Sequence, residues 1–133
     1  MKQSVVIATN DPLVVNPLSQ VLMKKDWCIL ITKSKIQSIL NILDREIAFF
    51  VLDFELPNNS NIDLISIIKS IRPRLPIIVL SEDASFNTRR KLAKAGVFYQ
   101  ALKPIQVMEI EQIIGAIEEL SSKEGEVNEE IAH

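Results

Sequence analysis

The chain has little of what several common catalytic sites require. It contains one cysteine, Cys28, which excludes an internal disulfide and any metal site built from several cysteines. Its one histidine, His133, is the last residue, which makes a Ser-His-Asp triad implausible. Only 3 glycines are present, too few for either common type of glycine-rich nucleotide loop. These absences argue against a serine hydrolase, a cysteine-ligated metal protein and a glycine-loop nucleotide enzyme.

Long apolar segments are also missing. No apolar run approaches the roughly 18–20 residues that cross a bilayer, and the apolar stretch 5–8 is too short for a signal peptide. The 133 residues are 47% hydrophobic and 24% charged, which is typical of one globular domain. We therefore expect a reduced, soluble, cytoplasmic domain that does not bind membranes.

Charge is distributed unevenly along the chain. Residues 1–104 carry 14 of the 15 basic and 9 of the 17 acidic residues, whereas residues 105–133 carry 1 basic and 8 acidic residues. The acidic end is either a solvated helix that runs into a disordered terminus or an interaction tail. We predict one domain over residues 1–120, a last helix that ends within 121–125, and an acidic flexible tail or linker start over 121–133.

Short apolar runs alternate with segments of helical period. The runs are residues 5–8, 28–31, 48–52, 77–80 and 97–102. Continuous apolar runs are typical of strands buried on both faces of a parallel sheet, and such burial would include Cys28. Between the runs, apolar residues recur at helical spacing, as in the stripe formed by Ile36, Ile39, Leu40 and Leu43. Five alternations predict an α/β fold, a (βα)5 doubly wound domain.

Polar side chains follow four of the predicted strands. Asn10 and Asp11 follow the first, Asp53 the third, Ser81 the fourth and Lys103 the fifth. Ligands of an open parallel sheet bind at the carboxyl ends of its strands, so these groups are expected to converge. Two carboxylates can share Mg²⁺, and an ammonium can neutralise charge on a phosphoryl group. A carboxylate in that setting is a candidate nucleophile toward phosphorus.

These residues, in this order, resemble the receiver domain of two-component response regulators, the CheY-like family. The segments that carry the resemblance are Asn10-Asp11, Leu52–Pro57, Leu80-Ser81, Ala95-Gly96 and Lys103-Pro104. The resemblance covers about residues 3–120. It implies a flavodoxin-like five-stranded parallel sheet of order 2-1-3-4-5. It also implies a signalling domain that is not an enzyme beyond self-catalysed phosphotransfer and dephosphorylation.

The resemblance assigns a role to each residue at the sheet edge. It implies that Asp53 is the phosphoacceptor, that Ser81 is the switch hydroxyl and that Lys103 is the phosphate-sensing lysine. It also implies a cis peptide bond before Pro104, although cis is otherwise the minority isomer.

The resemblance also implies a Mg²⁺ site. Asp11 and Asp53 would ligate the metal directly, Glu55 through its backbone carbonyl and Asn10 through water. The family usually has a second acid where this chain has Asn10. The missing charge predicts weaker Mg²⁺ binding.

Two further positions depart from the family pattern. Glu82 stands after the switch hydroxyl, where a small residue is usual. Gln100 stands three residues before Lys103, where Tyr or Phe is usual. Tyr99 could take over that aromatic position only through a one-residue strand bulge.

The resemblance implies a phosphate donor and a downstream partner for this domain. A histidine kinase or phosphotransfer protein would supply phosphate, and a downstream protein or output domain would read the helix 4–strand 5–helix 5 surface, which could also form a homodimer. Direct nucleic-acid binding is not expected. The basic residues within 89–94 are either a solvated helix face or a docking surface for an acidic partner.

Two other functions remain open at this point. One is a degenerate receiver that acts as an unphosphorylated protein–protein interaction module. The other is an aspartyl-phosphate phosphatase or a flavodoxin-like cofactor binder. Against this last pair, Asp53-Phe54-Glu55 follows the third strand, whereas the Asp-x-Asp of such phosphatases follows the first, and phosphate loops rich in Ser, Thr and Gly are missing.

Overall fold

The computed structural model describes residues 3–56 and 61–132, and within them strands and helices alternate. The strands are β1 (Ser4–Ala8), β2 (Cys28–Thr32), β3 (Ile47–Asp53), β4 (Ile77–Ser81) and β5 (Tyr99–Leu102). The helices are α1 (Pro12–Leu22), α2 (Lys35–Asp44), α3 (Asn61–Ile71), α4 (Phe86–Lys94) and α5 (Val107–Ala132). Pro57, which belongs to one of the motifs above, lies outside the described residues.

The five strands form one parallel sheet of order β2-β1-β3-β4-β5. This order confirms the predicted (βα)5 doubly wound fold. The central strands β1 and β4 are buried along their whole length, whereas the edge strands β2 and β5 are partly exposed. The expectation that Cys28 is buried is therefore wrong, because Cys28 begins the edge strand β2 and is exposed.

A core layer lies on each face of the sheet. Alternate residues of β1 point to opposite faces, so Val5 packs toward α1 and α5 and Val6 packs toward α2, α3 and α4. In the first layer, Trp27 meets Phe49 edge to face with ring centroids 5.4 Å apart. The predicted apolar stripe of α5 is buried there, and its members are Ile110, Ile113, Ile114 and Ile117. The two layers together cover both faces of the sheet.

Helix α2 packs differently from the prediction. Three residues of the predicted apolar stripe are exposed: Ile36 at 70%, Leu40 at 53% and Leu43 at 47%. The helix instead buries Ile42 and Ser38, whose hydroxyl lies 2.7 Å from the Thr32 hydroxyl at the end of β2. The helix is thus rotated so that this buried polar contact, and not the predicted stripe, faces the sheet beside the edge strand β2. The apolar pattern of α2 does not encode that contact.

Two helix ends bear on the predictions. The Asp11 carboxylate accepts a hydrogen bond from the Leu13 N–H at 2.9 Å and caps α1. Helix α5 continues through Ala132, so the prediction that it ends within 121–125 is wrong. Gly125 lies inside this helix. A glycine inside a helix costs only about 1 kcal/mol relative to alanine, which is too little to end the helix by itself. The division of the chain at residue 120 stays a prediction. Within the described residues, no helix combines the length and apolarity that a membrane span needs.

Alanine is expected to have opposite effects on stability at two glycines, one just after α4 and one inside α5. Gly96 follows α4 with φ +90°, and a Cβ there would lie 3.0 Å from Lys69 Cε. Gly115 lies inside α5 with no atom within 4 Å of an added Cβ. We expect Gly96→Ala to lower the free energy of unfolding by about 1–2 kcal/mol and Gly115→Ala to raise it by about 0.5–1 kcal/mol. Urea unfolding of both variants measures the difference, and equal effects would contradict the assigned conformations.

Candidate functional site

Strand β3 ends at the carboxyl edge of the sheet with Asp53, whose side chain is buried. Its Oδ1 accepts hydrogen bonds from Lys103 Nζ at 2.6 Å and from the Glu55 backbone N–H at 3.0 Å. Its Oδ2 accepts a hydrogen bond from the Thr9 hydroxyl at 2.7 Å. Charge-assisted bonds of this kind are short and directional. The three donors together fix the orientation of the Asp53 carboxylate.

Lys103 follows β5 and reaches across the edge of the sheet. Its Nζ lies between Asp53 Oδ1 at 2.6 Å and Glu55 Oε1 at 3.0 Å. Burial lowers the pKa of Lys103, but its hydrogen bonds to Asp53 and Glu55 outweigh that effect, and the pKa is raised above its ordinary value. Lys103 is therefore a cation throughout the physiological pH range. The Lys103-Pro104 peptide bond is cis, as predicted.

Ser81 and Glu55 are joined at the same edge. The Ser81 hydroxyl donates to Glu55 Oε2 at 3.1 Å and accepts a hydrogen bond from the Asp83 N–H at 2.9 Å. The Glu82 N–H donates to Glu55 Oε1 at 2.9 Å. The sequence predicted a role for the backbone carbonyl of Glu55 only, so its side-chain contacts were missed. The signal that could have indicated them is an acid two residues after a buried strand-end aspartate.

Thr9 is a second residue that the sequence reasoning missed. It is buried, its hydroxyl donates to Asp53 Oδ2, and the same oxygen accepts a hydrogen bond from the Asp11 N–H at 3.0 Å. One hydroxyl thus connects the Asp53 carboxylate to the backbone of Asp11. A threonine directly after the buried strand β1 is the signal that could have found it.

The residues predicted to ligate Mg²⁺ lie at the same edge. Asp11 is half-buried and lines a cavity of about 210 Å³ together with Lys103 and Glu82. Asn10 is exposed. Residues 3–56 and 61–132 contain no group of three or more His, Cys, Asp or Glu side chains that could hold a metal ion. The donor types of Asp11 and Asp53 are compatible with Mg²⁺, which keeps several waters and takes one or two protein carboxylates.

Gln100 stands in regular strand pairing rather than beside a bulge. It lies opposite Val79, and the β4–β5 register runs without a shift, so Tyr99 is not moved into the aromatic position. The Gln100 side-chain N–H donates to the Arg89 carbonyl in α4 at 3.0 Å. Gln100 and Ser81 both line a small cavity of about 20 Å³. The place of the aromatic ring is therefore taken by an amide that connects β5 to α4.

Tyr99 points away from this region. Its hydroxyl donates to Glu109 Oε2 at 2.9 Å, and this hydrogen bond raises the pKa of Tyr99 above its ordinary value. A larger cavity of about 410 Å³, lined by Arg72, Arg74 and Leu120 among others, contains none of the predicted site residues. The size of a cavity is thus a poor guide to the chemistry here, because the strand-end groups converge elsewhere.

A doubly wound parallel sheet with a buried aspartate after β3 and a lysine after β5 defines a receiver-type signalling domain. The response regulator receiver domain family matches residues 5–115. The chain belongs to this family and is the receiver domain of a two-component response regulator.

The relatives extend beyond the chain. The DNA-binding transcriptional regulator NtrC of Bradyrhizobium sp. (strain RP501 Parasponia) is 26% identical over 112 residues, which are 84% of this chain and 23% of that protein. NtrC of Rhizobium meliloti (strain 1021) is 28% identical over the same shares. The chain therefore spans about a quarter of the length of these curated relatives.

Solved structures share the fold. A CheY-like receiver domain protein from Methanospirillum hungatei JF-1 has a TM-score of 0.81 at 18% identity, over 92% of this chain and 99% of that one. A response regulator from Burkholderia pseudomallei, with a phosphorylated aspartic acid, a calcium ion and citrate, has a TM-score of 0.72 at 24% identity, over 96% and 75%. At these identities the likeness establishes the fold alone.

Proposed function

We propose that this receiver domain is a switch controlled by phosphorylation of Asp53, with a histidine kinase or phosphotransfer protein as the phosphate source. The contact between Lys103 Nζ and the buried Asp53 carboxylate, at 2.6 Å, carries this proposal. A strand-end carboxylate that faces a permanent cation can attack phosphorus while the cation neutralises the oxygens of the transferring group. We expect the domain to catalyse no reaction other than its own phosphorylation and dephosphorylation.

Each residue of the site has a separate role in the proposed phosphoryl transfer. An Asp53 oxygen forms the new bond to phosphorus, and the bond from phosphorus to the donor breaks with its electron pair on the donor. Thr9 and the Glu55 N–H orient the attacking carboxylate. Lys103 then neutralises charge on the phosphoryl oxygens, and the Ser81 hydroxyl donates to one of them.

The metal site belongs to the same proposal. Asp11 and Asp53 would hold Mg²⁺ directly, with the Glu55 backbone carbonyl and, through water, Asn10. The ion supplies further positive charge toward the phosphoryl group. The donor chemistry of the carboxylates supports this choice of metal.

Asn10→Asp is expected to tighten Mg²⁺ binding by about three- to tenfold at low ionic strength, because a third carboxylate adds negative charge near the metal. Calorimetric titration with Mg²⁺ measures the affinity. Asn87→Asp is the matched control, since Asn87 is exposed on α4 and receives the same charge. Equal or weaker affinity in Asn10→Asp would contradict the proposed ligand arrangement.

Intact-mass measurement after incubation with acetyl phosphate tests the function as a whole. We expect one phosphoryl group per chain with Mg²⁺ and none when a chelator removes the metal. No adduct under either condition would favour the alternative, a degenerate receiver that acts as an unphosphorylated interaction module.

We propose that a partner binds at exposed apolar residues of α4, β5 and α5. Phe86 is 78% exposed, Leu102 49% and Met108 74%, and they lie on α4, β5 and α5 respectively. Exposed apolar side chains of this size favour docking of a downstream protein or output domain, or a homodimer. The proposed location is the cytoplasm, and this domain is not expected to bind nucleic acid directly. DNA binding is named for the longer NtrC relatives, so an output of that kind would require chain beyond this domain.

A further inference from the structure

Three hydrogen-bond donors converge on the side chain of Glu55. They are the Ser81 hydroxyl at 3.1 Å, the Glu82 backbone N–H at 2.9 Å and the Lys103 ammonium at 3.0 Å. They come from the ends of β4 and β5, which pair side by side in the sheet. We call these three groups the oxyanion cradle. Converging hydroxyl, N–H and ammonium donors bind an anionic oxygen group, whether it is a carboxylate or a phosphoryl group.

The oxyanion cradle borders the oxygen atoms of Asp53. Lys103 Nζ contacts Asp53 Oδ1 and Glu55 Oε1 at the same time. The Glu55 N–H also donates to Asp53 Oδ1. A phosphoryl group on Asp53 would therefore need donors that the Glu55 carboxylate already engages. Because Glu55 follows Asp53 by two residues, the chain keeps this carboxylate at a high effective concentration.

We propose that the Glu55 carboxylate is a built-in competitor of the phosphoryl group. It fills the oxyanion cradle in the unphosphorylated domain and leaves when an anion on Asp53 enters. The proposal rests on the function proposed above. The Glu55 side chain is 35% exposed, so it can swing into solvent without opening the core. Only molecules with an empty cradle can bind a phosphoryl-like anion. The apparent affinity is therefore the intrinsic affinity multiplied by the fraction of molecules whose cradle Glu55 has left.

Titration with beryllofluoride in the presence of Mg²⁺ tests this competition, with the affinity read from amide resonances. We expect Glu55→Gln and Glu55→Ala to bind beryllofluoride about five- to tenfold more tightly than the parent, because the competing charge is gone. Glu46→Gln, just before β3 and so at the opposite end of that strand, removes the same charge away from the cradle, and we expect less than about a twofold effect.

Two results would overturn the proposal. One is an unchanged affinity in both Glu55 variants. The other is an equal gain in Glu46→Gln, which would show that the net charge of the domain matters and occupancy of the cradle does not.

A measurement without any anion separates this inference from the proposed function. In Glu55→Ala alone, the Glu82 N–H loses its acceptor, so its amide resonance is expected to shift and its hydrogen exchange to accelerate. An unchanged Glu82 amide would overturn the inference whatever the domain does with phosphate. If the Glu82 amide responds but neither the parent nor the variants bind beryllofluoride, the proposed function fails and the competitor role fails with it.

Discussion

Asp53→Asn is expected to abolish phosphoryl transfer from acetyl phosphate, the largest effect of any single substitution in the site. An amide is a far weaker nucleophile than a carboxylate, and it cannot form the acyl phosphate. The substitution keeps the size of the side chain and leaves Thr9 and Lys103 in place. Intact-mass analysis with Mg²⁺ measures the loss directly.

Asp44→Asn is the control for this substitution. Asp44 is exposed at the end of α2, so its loss is expected to leave labelling at the level of the parent. Asp11→Asn is expected to slow labelling without abolishing it, because Asp11 is assigned to the metal and not to the new bond. Undiminished labelling of Asp53→Asn would place the acceptor at another residue.

Lys103→Met is expected to give the largest loss of stability among the site variants, about 2 kcal/mol at pH 7. The ammonium is the cation that contacts both Asp53 and Glu55, and only 12% of its side chain is exposed. Its removal leaves two neighbouring carboxylates with no cation between them, and uncompensated buried charge is costly. Urea unfolding measures the change. Lys94→Met, on the exposed face of α4, is expected to stay within about 0.5 kcal/mol of the parent.

A double-mutant cycle shows whether this loss comes from the ion pair. The double variant Asp53→Asn, Lys103→Met is expected to be less destabilised than Lys103→Met alone, with a coupling of about 1–2 kcal/mol. In the double variant no ionised carboxylate remains at position 53 to be left without its cation. Strict additivity of the two substitutions would contradict the contact at 2.6 Å as the source of the effect.

The arrangement of the site followed from one rule about parallel sheets. Residues at the carboxyl ends of neighbouring parallel strands share an edge, so Asp53, Ser81 and Lys103 could be placed together without coordinates. The acid two residues after Asp53 indicated a side chain near the site, but its contacts with Ser81 and Lys103 depend on how the loop after β3 turns. Thr9 was missed because a lone threonine is a weak signal, although its position directly after the buried strand β1 places it at the same edge as Asp53.

The errors in the fold have similar causes. Apolar spacing in α2 indicated a helix but not its rotation, in which Ser38 rather than the apolar stripe contacts Thr32 at the sheet. Cys28 lies in a continuous apolar run, but the order 2-1-3-4-5 already put β2 at the edge of the sheet, and an apolar run alone does not bury a residue there. The end of α5 was predicted within 121–125, but the helix continues through Ala132, so the polar and glycine residues of that segment did not determine its end.

The central claim is that phosphorylation at Asp53 changes a distant surface. Gln100 gives a physical route, because its side chain connects β5 to the Arg89 carbonyl of α4. Nuclear magnetic resonance spectra of the parent with and without beryllofluoride, in the presence of Mg²⁺, test this most directly. We predict amide shifts that extend from the pocket through residues 82–103, including Gln100 and α4. Shifts confined to the immediate surroundings of Asp53, with residues 82–103 unchanged, would contradict the switch and favour a constitutive binding module.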